Sequence, residues 1–101
     1  MATNTDIIFM NEKCDEVSAI LKSLSHPVRL KVLCQLMDEE KTVNELTELC
    51  DTSQSAMSQF LIRMRAEGVL SSRREATFVF YTLSDPKLKK LIRALKDIYC
   101  K

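Results

Sequence analysis

A cluster of short uncharged polar side chains, Ser53-Gln54-Ser55 and then Ser58-Gln59, is followed by four arginines, Arg63, Arg65, Arg73 and Arg74. Glutamine carries a donor and an acceptor on one amide and can bridge N6 and N7 of adenine, while serine pairs with several bases. Arginine holds phosphate oxygens, which fixes position on a duplex without reading its sequence. With Thr77, these residues are candidates for binding double-stranded DNA. A polar helix face is also what a solvated surface looks like, so the reading depends on the elements that carry the residues.

The other reactive side chains are four cysteines, Cys14, Cys34, Cys50 and Cys100, and one histidine, His26. A lone histidine cannot complete a nucleophile, base and orienting group, so the chain does not read as an enzyme. His26 precedes Pro27 at a helix start, where it reads as a capping or packing residue. No metal ligand set and no cofactor is implied. On residue arithmetic alone Cys34 is a small core residue and Cys100 a helix-end thiol, because free cysteine is commonly buried.

The chain has 101 residues, 46% hydrophobic and 29% charged, which suits one domain over 1–101 with one core. A single glycine argues against a phosphate-cradling loop or a many-turned β-sandwich. No apolar run approaches the roughly 18 residues of a membrane span, and the N-terminus lacks a signal peptide's regions. The expected location is the cytoplasm, with no membrane partner and with reduced thiols at rest. The net charge of +1 conceals an asymmetry: residues 1–51 hold 5 Lys/Arg against 10 Asp/Glu, residues 52–101 hold 10 against 4. A basic half suits a polyanion.

Met1 to about Phe9 is polar and reads as a frayed tail. Val17, Ile20, Leu21 and Leu24 form an apolar stripe on a helix from about Met10 to Leu24. Ser25-His26-Pro27 opens a second helix to about Asp38, with Leu30, Leu33, Cys34 and Met37 on its buried side. Thr42-Val43-Asn44-Glu45 is a capping box for a short third helix ending near Cys50. Asp51-Thr52-Ser53 turns, and Thr52 or Ser53 caps a fourth helix to Glu67. In that helix Met57, Phe60, Leu61 and Met64 face the core, and Ser55, Ser58, Gln59 and Ile62 face outward. Gly68 sits where a helix end needs a left-handed residue.

The period then becomes two from Val69 to Leu83, which predicts a hairpin turning at Glu75-Ala76-Thr77. Ser84-Asp85-Pro86 caps a last helix, where Leu88, Leu91, Ile92, Leu95, Ile98 and Tyr99 make a seam suited to a partner helix. The predicted fold is mainly α with a small antiparallel hairpin: a winged helix-turn-helix. Residues of about 42–67 form the bihelical unit, about 70–83 the wing, and about 10–24 with 85–100 the dimerisation helices.

Leu24-Ser25-His26-Pro27-Val28-Arg29-Leu30, Ser53-Gln54-Ser55-Ala56-Met57-Ser58-Gln59 and Arg73-Arg74-Glu75 resemble the ArsR/SmtB family of winged-helix transcriptional repressors, over about residues 14–100. The resemblance implies a homodimer that binds an operator and releases it on meeting an effector. Asp51 stands where the family often has the turn glycine, Phe60 where many members have histidine, and Ala76 in place of a frequent wing glycine. The family's metal sites use a Cys-x-Cys pair in the third helix or Asp and His in the last. Here the third helix has only Cys50, and Asp97 has no histidine near it. Thiolate capture of zinc, copper or arsenite by Cys14 and Cys50 across a dimer is the metal-sensing alternative; a dimerisation module without DNA is the other.

Cys34 in Leu33-Cys34-Gln35-Leu36 and Cys100 after Ile98-Tyr99 resemble the dithiol of a thiol-based, sulfide- and persulfide-responsive subfamily. That subfamily includes biofilm-growth repressors and haemolysin regulators. The resemblance implies redox sensing by Cys34 and Cys100, with reactive sulfur or an oxidant as effector. Cys14 and Cys50 are then packing residues.

Overall fold

The computed structural model describes residues 3–100. Its elements, in order, are α1 (Asn4–Ile8), a π-helical stretch (Phe9–Lys13), α2 (Cys14–Ser23), α3 (Pro27–Gln35), β1 (Lys41–Thr42), α4 (Val43–Leu49), α5 (Gln54–Ala66), β2 (Leu70–Glu75), β3 (Phe78–Leu83) and α6 (Pro86–Tyr99). The order is that of a winged helix-turn-helix.

Three boundaries depart from the expectations. Residues 4–9 of the expected tail are helical: the Asp6 amide donates to Thr3 Oγ1 at 3.1 Å and the Thr3 amide to Asp6 Oδ2 at 3.0 Å. This reciprocal box supplies the start signal that a frayed segment lacks. α3 stops at Gln35 rather than Asp38, because continuing it would place Asp38, Glu39 and Glu40 at the negative end of the helix dipole. The sheet has three strands in the order β1-β3-β2, not two. Lys41 and Thr42 pair with Tyr81 and Phe80, and a two-residue strand is too short to show a period.

The hairpin itself is in register from Leu70↔Leu83 to Glu75↔Phe78. Tyr81 and Leu83 face the core with Leu70, so the period of two sorts the strands as expected. Gly68 at φ 79, Asp51 at φ 50 and Ala76 at φ 55 occupy the left-handed region at the helix end, the helix-turn-helix turn and the wing tip.

Leu33, Leu46, Met57, Leu61, Met64 and Ile92 are fully buried, which brings α3, α4, α5 and α6 onto one core. Phe60 is only half-buried; its ring lies 4.7 Å from that of His26. His26 caps α3, its Nδ1 accepting from the Val28 amide at 3.1 Å. α1, the π-helical stretch and α2 bury no residue at all. Ile7, Ile8, Phe9, Met10 and Leu21 remain exposed there, as do Ile98 and Tyr99 at the end of α6.

Candidate nucleic-acid interface

Two capped helices build the bihelical unit. Thr42 caps α4 reciprocally with Glu45: the Glu45 amide donates to Thr42 Oγ1 at 3.2 Å and the Thr42 amide to Glu45 Oε1 at 3.0 Å. The Thr42 amide and hydroxyl hold the Glu45 carboxyl below its ordinary range. Asp51 takes the left-handed turn, which aspartate tolerates better than most residues. Ser53 then caps α5, its Oγ accepting from the Ala56 amide at 3.1 Å. Of Thr52 and Ser53, the cap is therefore Ser53.

On α5, Met57, Leu61 and Met64 are buried, so the opposite face is fixed toward solvent. Ser55 and Gln59 are exposed on it and Ser58 is half-buried, while Gln54, one turn ahead of Met57 on the core-facing row, is exposed at the start of the helix. Ile62 continues this face at 62% exposure, an apolar group of the kind that meets a thymine methyl. Arg63 and Arg65 are exposed in the last turn. The structure thus brings Gln54, Ser55, Ser58 and Gln59 onto the first turns of one helix, with the two arginines behind them.

The wing arginines part company. Arg74 shares a strand face with Val79 and Tyr81, is exposed, and makes no side-chain hydrogen bond or ion pair among the described residues. Thr77 is exposed at the wing tip. Arg73 points to the other face, where Nε donates to Glu40 Oε2 at 2.8 Å and Nη1 to Glu75 Oε2 at 2.9 Å. A further short contact joins Nη2 to Glu40 Oε1. The Arg73 guanidinium holds the Glu40 carboxyl below the usual carboxylate range. A phosphate would therefore meet Arg74 unengaged and Arg73 already bound to two carboxylates.

All four thiols are free, with Cys34 and Cys50 close enough to interact electrostatically. Cys50 closes α4 at 1% exposure, and burial pushes its thiol pKa up. Cys34 is half-buried in the last turn of α3, Cys100 is the exposed C-cap of α6, and Cys14 is half-buried at the start of α2. A cleft of about 190 Å³ lined by Met37, Asp38, Arg93, Lys96 and Asp97 shows the last turns of α6 passing the C-terminal end of α3. Among the described residues no three His, Cys, Asp or Glu side chains gather in a metal-holding group. None of the described helices is long and apolar enough to cross a membrane.

Sequence reasoning passed over Arg29 and Glu67. The Arg29 guanidinium makes two parallel hydrogen bonds to the Glu67 carboxylate, Nη1 to Oε1 at 2.7 Å and Nη2 to Oε2 at 3.1 Å. The residues are 38 positions apart, and no local pattern announces such a pair.

A capped bihelical unit with an uncharged polar face on its second helix, flanked by a hairpin carrying a free arginine, defines a winged helix-turn-helix regulatory protein. Residues 26–72 match the family described as bacterial regulatory protein, arsR family. The chain is 40% identical over 91 residues to the transcriptional activator HlyU of Vibrio cholerae, covering 90% of this chain and 84% of that protein. The chain belongs to the arsR family, whose members are regulators rather than enzymes. Reduced HlyU from Vibrio cholerae superposes with a TM-score of 0.86 at 38% identity, over 93% of this chain and 99% of that one. The transcriptional repressor BigR from Xylella fastidiosa superposes with a TM-score of 0.87 at 37% identity, over 99% of each chain.

Proposed function

We propose that the chain is a homodimeric repressor that inserts the first turns of α5 into the major groove of an operator and loses affinity when Cys34 and Cys100 become bridged. The observation that carries the DNA reading is the outward Ser55-Ser58-Gln59 face, opposite the buried Met57, Leu61 and Met64, with Gln54 exposed at the helix start. Ser53 orients the helix start. Arg63, Arg65, Arg74 and Thr77 serve the backbone, and Arg73 joins them only by exchanging a carboxylate for a phosphate.

The dimer reading rests on the unburied N-terminal helix. Phe9, Val17, Ile20, Leu88 and Leu91 line an apolar groove of about 320 Å³ between α2 and α6, and the exposed apolar side chains at both helix ends extend it. Such a seam is best satisfied by a second copy, which would present two reading helices to two half-sites.

The sulfur reading is supported by the exposure of Cys100, by the passage of the last turns of α6 beside the end of α3 that carries Cys34, and by relatives that include a regulator described in its reduced form. Exposed Cys100, as thiolate, attacks the outer sulfur of a low-molecular-weight persulfide, expelling the carrier thiolate and leaving a cysteine persulfide. Cys34 then displaces that outer sulfur as hydrogen sulfide. Two thiols and one persulfide become one disulfide, one carrier thiol and one hydrogen sulfide. The bridge ties α3 to α6, and a coupling of about 1–3 kcal/mol would change DNA affinity roughly 5- to 150-fold.

The test selects duplexes from a random pool with the reduced protein, then repeats binding after glutathione persulfide. A selected sequence, a dimer in light scattering, a mass lower by two hydrogens and weakened binding are expected. Cys34→Ser should bind DNA and ignore the persulfide. No enriched sequence would overturn the DNA reading, and an unchanged affinity after bridging would overturn the switch.

A further inference from the structure

Two residues of the α2–α3 corner and one distant in sequence close a polar ring at the end of α5. Arg29, from the first turn of α3, forks onto the Glu67 carboxylate, and Glu67 is the C-cap of α5. Arg29 Nη1 also donates to Ser23 Oγ at 2.9 Å, and the Ser23 hydroxyl donates to Glu67 Oε1 at 2.9 Å. Ser23 is the last residue of α2. The ring therefore joins the end of the reading helix to the corner where α2 hands over to α3. The Arg29 side chain is 12% exposed and that of Glu67 42%, so the guanidinium is enclosed while the carboxylate stays wetted. Arg29 meets α5 at its C-terminal end, opposite the first turns where bases would be read.

The same end of α5 is fastened from a second element. Ser84, between β3 and α6, donates its hydroxyl to the Gly68 carbonyl at 3.0 Å. The far end is held by its Ser53 cap, the turn at Asp51 and the buried Met57. A helix of 13 residues is about 20 Å long at 1.5 Å per residue, so tilting it by about 5° moves its far end by nearly 2 Å. That displacement breaks a hydrogen bond of ordinary length to a base edge.

We infer that Arg29 is a positioning residue for DNA recognition: through Glu67 and Ser23 it sets the tilt of α5 against α2. The inference rests on the DNA-binding reading and deepens it. If α2 lies in the dimer seam, the ring also sets the spacing between the two reading helices. A bidentate fork resists rotation, whereas a lysine would hold the carboxylate by a single point contact.

The experiment compares full-length wild type, Arg29→Lys, Glu67→Gln and the exchange Arg29→Glu with Glu67→Arg. Each is measured on a fluorescein-labelled duplex selected by the wild type, and on a scrambled duplex, across salt concentrations. The exchange is compatible with both helices, since it places an acid in the first turn of α3 and a base at the end of α5. Arg29→Lys and Glu67→Gln should fold, bind the selected duplex about tenfold more weakly, and keep both the affinity for the scrambled duplex and the salt slope. The exchange should recover most of the loss, and selection repeated with Glu67→Gln should relax the preferred half-site spacing.

Wild-type affinity in both folded single variants would overturn the inference, as would a lowered melting temperature with unchanged affinity of the folded protein. A loss shared by both duplexes with a shallower salt slope would make Arg29 a phosphate contact instead. A wild type that selects no sequence would fail at the prior step and remove the DNA-binding reading itself.

Discussion

The Arg73 guanidinium lies 4.5 Å from the centroid of the Phe80 ring, across the β2–β3 register that pairs the two residues. It reaches past that ring to Glu40, just ahead of β1, and so ties the wing to the entrance of the bihelical unit. Neighbouring Arg74 is on the opposite face with its charge uncommitted. Adjacent arginines with the same sequence signature thus have different work.

They should separate experimentally. Arg74→Ala is expected to leave the melting temperature unchanged and to weaken binding to selected and scrambled duplexes alike. Its salt slope should fall by about two for a dimer, since each subunit then neutralises one phosphate fewer. Arg73→Ala should lower the melting temperature and leave the slope nearly intact. Anisotropy titrations at several salt concentrations, with a thermal melt of each variant, check this. Equal slopes for wild type and Arg74→Ala would remove Arg74 from the phosphate-binding set.

Ala76 at φ 55 carries a Cβ in a region that costs a non-glycine residue roughly 1–2 kcal/mol. Glycine removes that strain but gains about 0.4–1 kcal/mol of freedom in the unfolded chain. Ala76→Gly is therefore expected to stabilise the fold by about 0.5–1 kcal/mol, raising the melting temperature by roughly 2–8 °C. Asp51→Gly should gain less, because aspartate tolerates the same region. A melting temperature lowered by Ala76→Gly would show that the wing tip is not strained.

The thiols should label in order of exposure. Cys100 is open to solvent, Cys14 and Cys34 are half-buried, and Cys50 is enclosed with its thiol pKa raised by burial. Thiolate is the reacting species, so Cys50 has both less access and less of it. Timed iodoacetamide labelling with peptide mass spectrometry should find Cys100 modified first and Cys50 only after unfolding. Cys50→Ser should cost about 1–3 kcal/mol, the penalty of a buried hydroxyl without a partner. Early labelling of Cys50 in the folded protein would contradict its assignment to the core.

Most elements were legible because their signals are local. The Thr42–Glu45 box, Pro27, Pro86 and Gly68 mark helix ends through nearest-neighbour hydrogen bonds or backbone limits, and the period-two run from Phe78 can only be sorted by a sheet. The Thr3–Asp6 box was equally readable, since Thr-x-x-Asp is the same signal; the polar composition around it obscured the start. β1 was hidden for another reason. Two residues carry no period, and Lys41 is buried in the folded chain, where the strand pairs it with Tyr81. Within the candidate site, residue types placed the base-reading face, but the commitment of Arg73 to Glu40 and of Arg29 to Glu67 arises in the folded chain. Pairs 33 and 38 residues apart have no expression in spacing.

The Arg29–Glu67 pair also makes stability depend on pH. Hydrogen bonding from Arg29, aided by Ser23, lowers the Glu67 pKa from its ordinary 4.5. A carboxyl depressed in the folded state stabilises above its unfolded pKa, and that contribution is lost as pH falls through the lower folded value. The sign is therefore fixed: the pair is fully effective at neutral pH and vanishes as Glu67 protonates below about 4.5. Because the carboxylate is partly exposed, screening keeps the effect small, about 0.2–1 kcal/mol. Glu67→Gln should be less stable than wild type at pH 7 by that amount, and the difference should close as the pH approaches 3. Asp6, Glu40 and Glu45 are lowered in the same direction, so only the difference between variant and wild type isolates Glu67. Urea unfolding at pH 7, 5, 4 and 3 measures it. A gap that persists unchanged at pH 3 would mean that Glu67 is held by something other than its charge.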